Sequence, residues 1–145
     1  AWTDKMRHRV HHQFFSTDLK YFRRSGRMSG ATATVASILN ICPILRLNDE
    51  GRIIAYDKVR GKRNAINYIL HKMEVHAKDG LDYSGKCYIC HSQCYDDAKT
   101  LADMIEGHCA KLNGGVKIYD IGSTIGCHTG PGTVALFFWG DKREN

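Results

Sequence analysis

KCYICHSQCYDDAKTLADMIEGHCAKLNGGVKIYD, residues 86–120, is the stretch on which the fold turns. Lys86 to His91 form a short apolar run that reads as a buried strand. Asp96 and Asp97 supply the acidic first turn that a helix N-terminus favours. Ala98, Leu101, Ala102, Ile105, Cys109 and Leu112 recur on one face of that helix, the pattern of an amphipathic helix packed on a core. Asn113-Gly114-Gly115 stops it, and Val116 to Ile121 reads as a second strand. Strand, helix and strand in succession mark an α/β domain.

Working toward the C-terminus, GSTIGCHTGPG (122–132) reads as a glycine-rich loop and TVALFFW (133–139) as the last strand. Working toward the N-terminus, residues 61–78 read as a long helix, with Ile66, Ile69, Leu70, Met73 and Ala77 at helical spacing. Ahead of it, two apolar runs flank Asn48-Asp49-Glu50-Gly51, a hairpin signal. SGATATVASIL (29–39) reads as a helix of small residues that Pro43 brings to an end. Ser16 or Thr17 caps a short helix through Leu19, Tyr21 and Phe22, closed by Gly26. VHHQFF (10–15) reads as a short strand. The whole order predicts an α/β fold with a mixed sheet of about five to six strands and packed helices.

The composition agrees with one globular domain. The chain has 145 residues, of which 43% are hydrophobic and 25% charged, which excludes a disordered tail or a collagen-like rod. Its apolar runs fall well short of the ~18 residues of a membrane span, so no membrane span is expected. The first residues, AWTDKMRHRVHHQFF, lack the apolar region of a signal peptide, and a cytoplasmic location is expected. No initiator Met is present, so a piece of a longer protein is expected.

Charge is distributed unevenly. Residues 1–63 hold 13 Lys/Arg against 5 Asp/Glu, and residues 64–145 hold 8 against 10. A basic half points to an anionic partner, or to a solvated basic face with no partner. Lys58-Val59-Arg60-Gly61-Lys62-Arg63 is the densest basic run. It lacks the interleaved aromatics of a nucleic-acid surface and suits an acidic protein partner as well. A basic nucleic-acid-binding module is therefore a rival reading.

Six cysteines are present, at 42, 87, 90, 94, 109 and 127. Without a secretory signal they read as reduced. Cys87-Tyr88-Ile89-Cys90-His91 spells a haem-attachment motif, but residues three apart face opposite sides of a strand. The same geometry weighs against zinc or a redox pair built on Cys87, Cys90, His91 and Cys94, which remains the other rival; no metal or cofactor is expected. In the glycine-rich loop, His128 and the Thr129 hydroxyl can meet an anion or a polar head group. The spelling is neither a Walker A nor a dinucleotide fingerprint. Arg27 follows a helix-ending glycine, where its planar fork can reach a carboxylate or phosphate. Cys127 beside His128 invites a thiol nucleophile, but adjacent residues rarely present their side chains to each other.

Four segments together resemble the DegV family of bacterial fatty-acid-binding proteins: DLKYFRRSGRMSG (18–30), ILNICPIL (38–45), EGRIIAYDKVRGKRNA (50–65) and IGCHTGPGTVALFF (125–138). The resemblance implies the C-terminal half of a two-domain protein. Residues 1–15 would be a junction from a missing N-terminal domain and 16–145 the DegV-like C-terminal domain. It implies a non-enzymatic carrier that holds a long-chain fatty acid and presents its carboxylate to a fatty-acid kinase subunit. Arg27, His128 and Thr129 would lie at the carboxylate. Arg60, Lys62 and Arg63 would face the kinase, and helix 29–39 would border the acyl chain. Ser25-Gly26 stands where the family often has two glycines, and Cys42 where it often has a lysine.

Overall fold

The computed structural model describes residues 1–26 and 40–143. The stretch that opens the argument folds as read: strand β4 is Cys87–Ser92, and strand β5 is Val116–Asp120. The helix between them spans Tyr95–His108. β4 and β5 pair in parallel, as two strands joined by a helical crossover must.

Six strands form one mixed sheet. β1 is Val10–Ser16, β2 is Ile41–Leu47, β3 is Ile53–Arg60 and β6 is Thr133–Trp139. The order across the sheet is β3-β2-β1-β6-β4-β5, and every neighbouring pair except β4–β5 is antiparallel. β2 and β3 form the expected hairpin: Gly51 N–H donates to Asn48 O at 3.0 Å, and Arg52 N–H to the Asn48 side chain at 2.8 Å. The described helices are α1 (Trp2–Met6), α2 (Lys20–Arg24), α3 (Lys62–His76), α4 (Tyr95–His108) and α5 (Ser123–Thr129).

Alternation along each strand gives the sheet two unlike faces. On one face Phe15, Ile44, Ile89, Val134, Leu136 and Phe138 meet Ile69 and Met73 of α3 and Leu101 and Ile105 of α4. All of these are at most 2% exposed. The other face carries Phe14, Leu45 and Ala135, with Leu19 and Phe22 packed on them and Ile53, Ala55 and Phe137 partly covered. Among the described helices, two short ones, α2 and α5, serve this face.

Two expectations change, and a third segment takes a place in the sheet. The stretch 122–132 is not wholly a loop, because Ser123–Thr129 forms α5 before Gly130 turns the chain; its one-turn seeds are too short to carry a periodic signal. Asp18 Oδ1 accepts the Lys20 N–H at 2.9 Å, so the start of α2 lies beyond Ser16 and Thr17. The sheet begins at Val10, inside the segment expected as a junction, because β1 pairs with β6 along its whole length and sits at the sheet's centre. The helix expected at 29–39 lies outside the described residues.

Candidate functional site

The open face of the sheet continues into a groove. One part, of about 900 Å³, lies between the β2–β3 hairpin and α5, bordered by Leu47, Ile53, Ile54, Ile125, His128 and Thr129. A second part, of about 330 Å³, shares Leu47, Ile53, Ile125 and Thr129 with the first. It runs along the sheet over Phe14, Ala135 and Phe137. Its walls are almost entirely carbon.

Local chemistry explains how α5 is fixed over this face. Gly130 ends the helix at φ +70°, and a Cβ there would stand 2.1 Å from the Tyr21 ring. Gly132, at φ +82°, would press a Cβ to 2.1 Å from Thr17 Oγ1. Only glycine meets both the left-handed backbone and the close approach. The Gly-Pro-Gly spelling is thus what lets α5 dock against α2. The Ser25 hydroxyl reinforces that contact, donating to Phe22 O at 3.1 Å and lying 3.5 Å from His128 O.

His128 and Thr129, both expected at a head group, come together at this groove. Thr129 is buried and His128 half-buried. Among the described residues, His128 Nδ1 and Thr129 Oγ1 are buried polar atoms with no hydrogen-bond partner. A buried donor left unpaired costs about 1–3 kcal/mol. Both residues border the groove. Arg27, the third expected group, lies outside the described residues, while its neighbour Gly26 borders the groove.

The basic run stands elsewhere. Arg60 ends β3, and Lys62 and Arg63 open α3, all of them exposed. None of the three borders the groove. Lys62 Nζ is 2.9 Å from Asp97 Oδ1 of α4, and that pairing, chiefly its hydrogen bond, raises the ammonium pKa. Arg60 and Arg63 have no ion-pair partner among the described residues.

The cysteine motif comes apart in the fold. Cys87 and Ile89 face the helix-covered core, and Cys90 turns toward the groove on the other face. All six cysteines are free. Burial pushes the Cys87 thiol up to about 12 and raises Cys90 and Cys94 as well, the reverse of a reactive or metal-binding thiolate. The Cys94 thiol donates to Thr133 O at 3.3 Å. Among the described residues these side chains do not converge as a metal site, whereas His11, His76 and Asp141 do, with ligand atoms within 4.8 Å of one another. That cluster escaped the sequence reading because its members are up to 130 positions apart.

Comparisons with known proteins agree with one another. Residues 1–141 match the family described as "Uncharacterised protein, DegV family". A DegV domain-containing protein of Clostridium perfringens is 34% identical over 144 residues, covering 99% of this chain and 48% of its own length. The chain thus spans about half of that relative. A fatty acid binding DegV family protein of Streptococcus agalactiae superposes with a TM-score of 0.74 at 26% identity, over 92% of this chain and 46% of that one. The fatty acid kinase (Fak) B3 protein of Streptococcus pneumoniae, solved loaded with linoleic acid, superposes with a TM-score of 0.81 at 14% identity. That match covers 95% of this chain and 47% of that one.

Proposed function

This chain belongs to the DegV family, and from that premise we propose that it forms one lobe of a carrier for a long-chain fatty acid. The carboxylate sits at His128 and Thr129, with Arg27 beside them. The acyl chain lies along the groove over Phe14, Phe137 and Ile125. The lobe binds lipid and performs no chemistry of its own, needs no cofactor, and works in the cytoplasm.

The observation that carries this reading is the pair of unpartnered atoms, His128 Nδ1 and Thr129 Oγ1, at the end of an apolar groove. A carboxylate accepts from both, and charge-assisted hydrogen bonds are the strong kind. The groove then gains ~0.8 kcal/mol for each methylene it buries. Support also comes from the Streptococcus agalactiae relative, described as fatty acid binding, and from the neighbour described as a fatty acid kinase B3 protein.

We further propose that the loaded lobe, completed by the remainder of a longer polypeptide, presents its carboxylate to a fatty-acid kinase through Arg60 and Arg63. Lys62 contributes less, because Asp97 already holds it.

Native mass spectrometry of the intact polypeptide tests the carrier reading. A mass that leaves on denaturation and extracts as a fatty acid is expected, and it should fall at least tenfold in occupancy in His128→Ala and Thr129→Val. Full occupancy in both variants would overturn the site. Arg60→Glu with Arg63→Glu should leave lipid occupancy intact and reduce acyl-phosphate formation by the kinase. Loss of lipid in that double variant would instead make the two arginines structural.

A further inference from the structure

A second cavity, of about 290 Å³, opens at the far end of β1 and β2. The two strands pair at Phe14–Leu45 and Phe15–Ile44 and then part toward Val10. Side chains fill the widening gap. Arg46 comes from β2, Lys72 and His76 from α3, and Arg143 from the segment after β6. His11 and His12 of β1 close it on the other side.

The lining holds three full cations and no carboxylate. Arg143 is 10% exposed, and its Nη1 donates to Leu47 O at 2.8 Å, which fixes the guanidinium in place. Its Nε, the Arg46 Nε and the His11 Nδ1 are all buried without a hydrogen-bond partner among the described residues. His11 itself is 3% exposed. Three of the five such atoms in the described structure therefore converge on this one cavity.

The nearby carboxylates are already committed. Asp49 Oδ1 lies 2.8 Å from His8 Nδ1 and only 3.7 Å from Arg143 Nη2. Asp141 lies 2.9 Å from His11 Nε2 and 3.0 Å from His76 Nδ1. Aromatic faces steady the cations without neutralising them: Arg46 lies 4.9 Å from the Tyr56 ring centre, and Lys72 lies 5.4 Å from that of Tyr68. The charges act on one another accordingly. Burial lowers the Arg143 pKa, and Arg46 adds to the effect. Burial, with Arg143 beside it, holds His12 neutral down to about pH 4.

We propose that this cavity, which shares only His12 with the lipid groove, is a binding site for a small multiply charged anion of the phosphate type. Two guanidiniums and an ammonium with free donors match a tetrahedral dianion. The volume lies at the low end of ligand pockets, which run about 300–1,000 Å³. It admits inorganic phosphate or a small phosphate ester. The convergence of cations is what favours an anion over a metal at the adjoining His11, His76 and Asp141.

Inorganic phosphate is the probe. It is titrated into the intact polypeptide at constant ionic strength, with histidine ring NMR signals and calorimetry as readouts. Saturable one-site binding is expected, weakened at least tenfold in Arg46→Gln and in Lys72→Gln and unchanged in His128→Ala. Lys72 is a half-buried residue on the flank of α3, so its variant keeps the test valid if Arg46→Gln fails to fold. Non-saturable shifts that chloride reproduces would overturn the proposal. So would equal affinity in both cation variants, or loss of binding in His128→Ala, which would put the anion in the groove. Stoichiometric zinc that phosphate does not displace would assign the cluster to a metal instead.

Discussion

The two faces of the sheet are drawn from alternate residues of the same strands, yet they behave as different materials. In β6, Val134, Leu136 and Phe138 point to the covered face and are essentially sealed by α3 and α4. Ala135 and Phe137, one position away, point to the groove. Long helices cover the first face. Among the described residues, short ones, held by Gly130 and Gly132, leave part of the second open. Along this strand Val134, Leu136 and Phe138 are buried in the covered face while Ala135 and Phe137 border the groove, and a single step along the chain separates the two settings.

Adjacent substitutions break this comparison most directly. Leu136→Ala opens a cavity in the covered face and should lower stability by about 2–5 kcal/mol in denaturant titration, with unchanged lipid occupancy per folded molecule. A loss below about 1 kcal/mol would mean that this face is not the one that holds the fold. Gly130→Ala should cost about 1–3 kcal/mol through strain at positive φ and contact with Tyr21. It should also loosen α5, read as lower lipid occupancy in native mass spectrometry.

Phe137→Ala should invert the Leu136 result, with lipid affinity down at least tenfold and a stability loss smaller than that of Leu136→Ala. Equal losses at the two positions would erase the distinction between faces. Ile125 is 57% exposed at the groove, so Ile125→Ala should change stability by no more than about 0.5 kcal/mol while weakening lipid binding a few-fold.

A separate comparison concerns pH and the edge where β1 and β2 part. His12 has its pKa lowered from 6.5 to about 4, chiefly by burial. The unfolded chain therefore takes up a proton that the folded chain refuses, and stability falls as pH drops from about 6.5 toward 4. Burial lowers His11 as well, which acts in the same direction. His12→Gln should flatten the slope of melting temperature against pH over that window. An unchanged slope would remove His12 as a source of the pH dependence.

Much of this architecture is legible in the residues. The pattern of residues 86–120 encodes strand, helix and strand through short-range periodicity, and the hairpin is encoded by Asn48 and Gly51. His128 and Thr129 were readable as candidates because glycines and a proline surround them. The helical character of Ser123–Thr129 was not, since seven residues between glycines carry too weak a periodic signal and the helix depends on docking against α2. The central position of β1 was not readable either, because pairing partners far along the chain leave no local mark.

The sequence by itself therefore determined most of the secondary elements and the α/β class, because each rests on neighbours within one or two turns of chain, and the family, because four motifs recur in order along it. Only the tertiary structure decided which face stays open, that Cys87 and Cys90 part company, and that Arg46, Lys72 and Arg143 converge. These follow from strand order and from where strands separate, and burial and charge at such places are set by residues about a hundred positions apart.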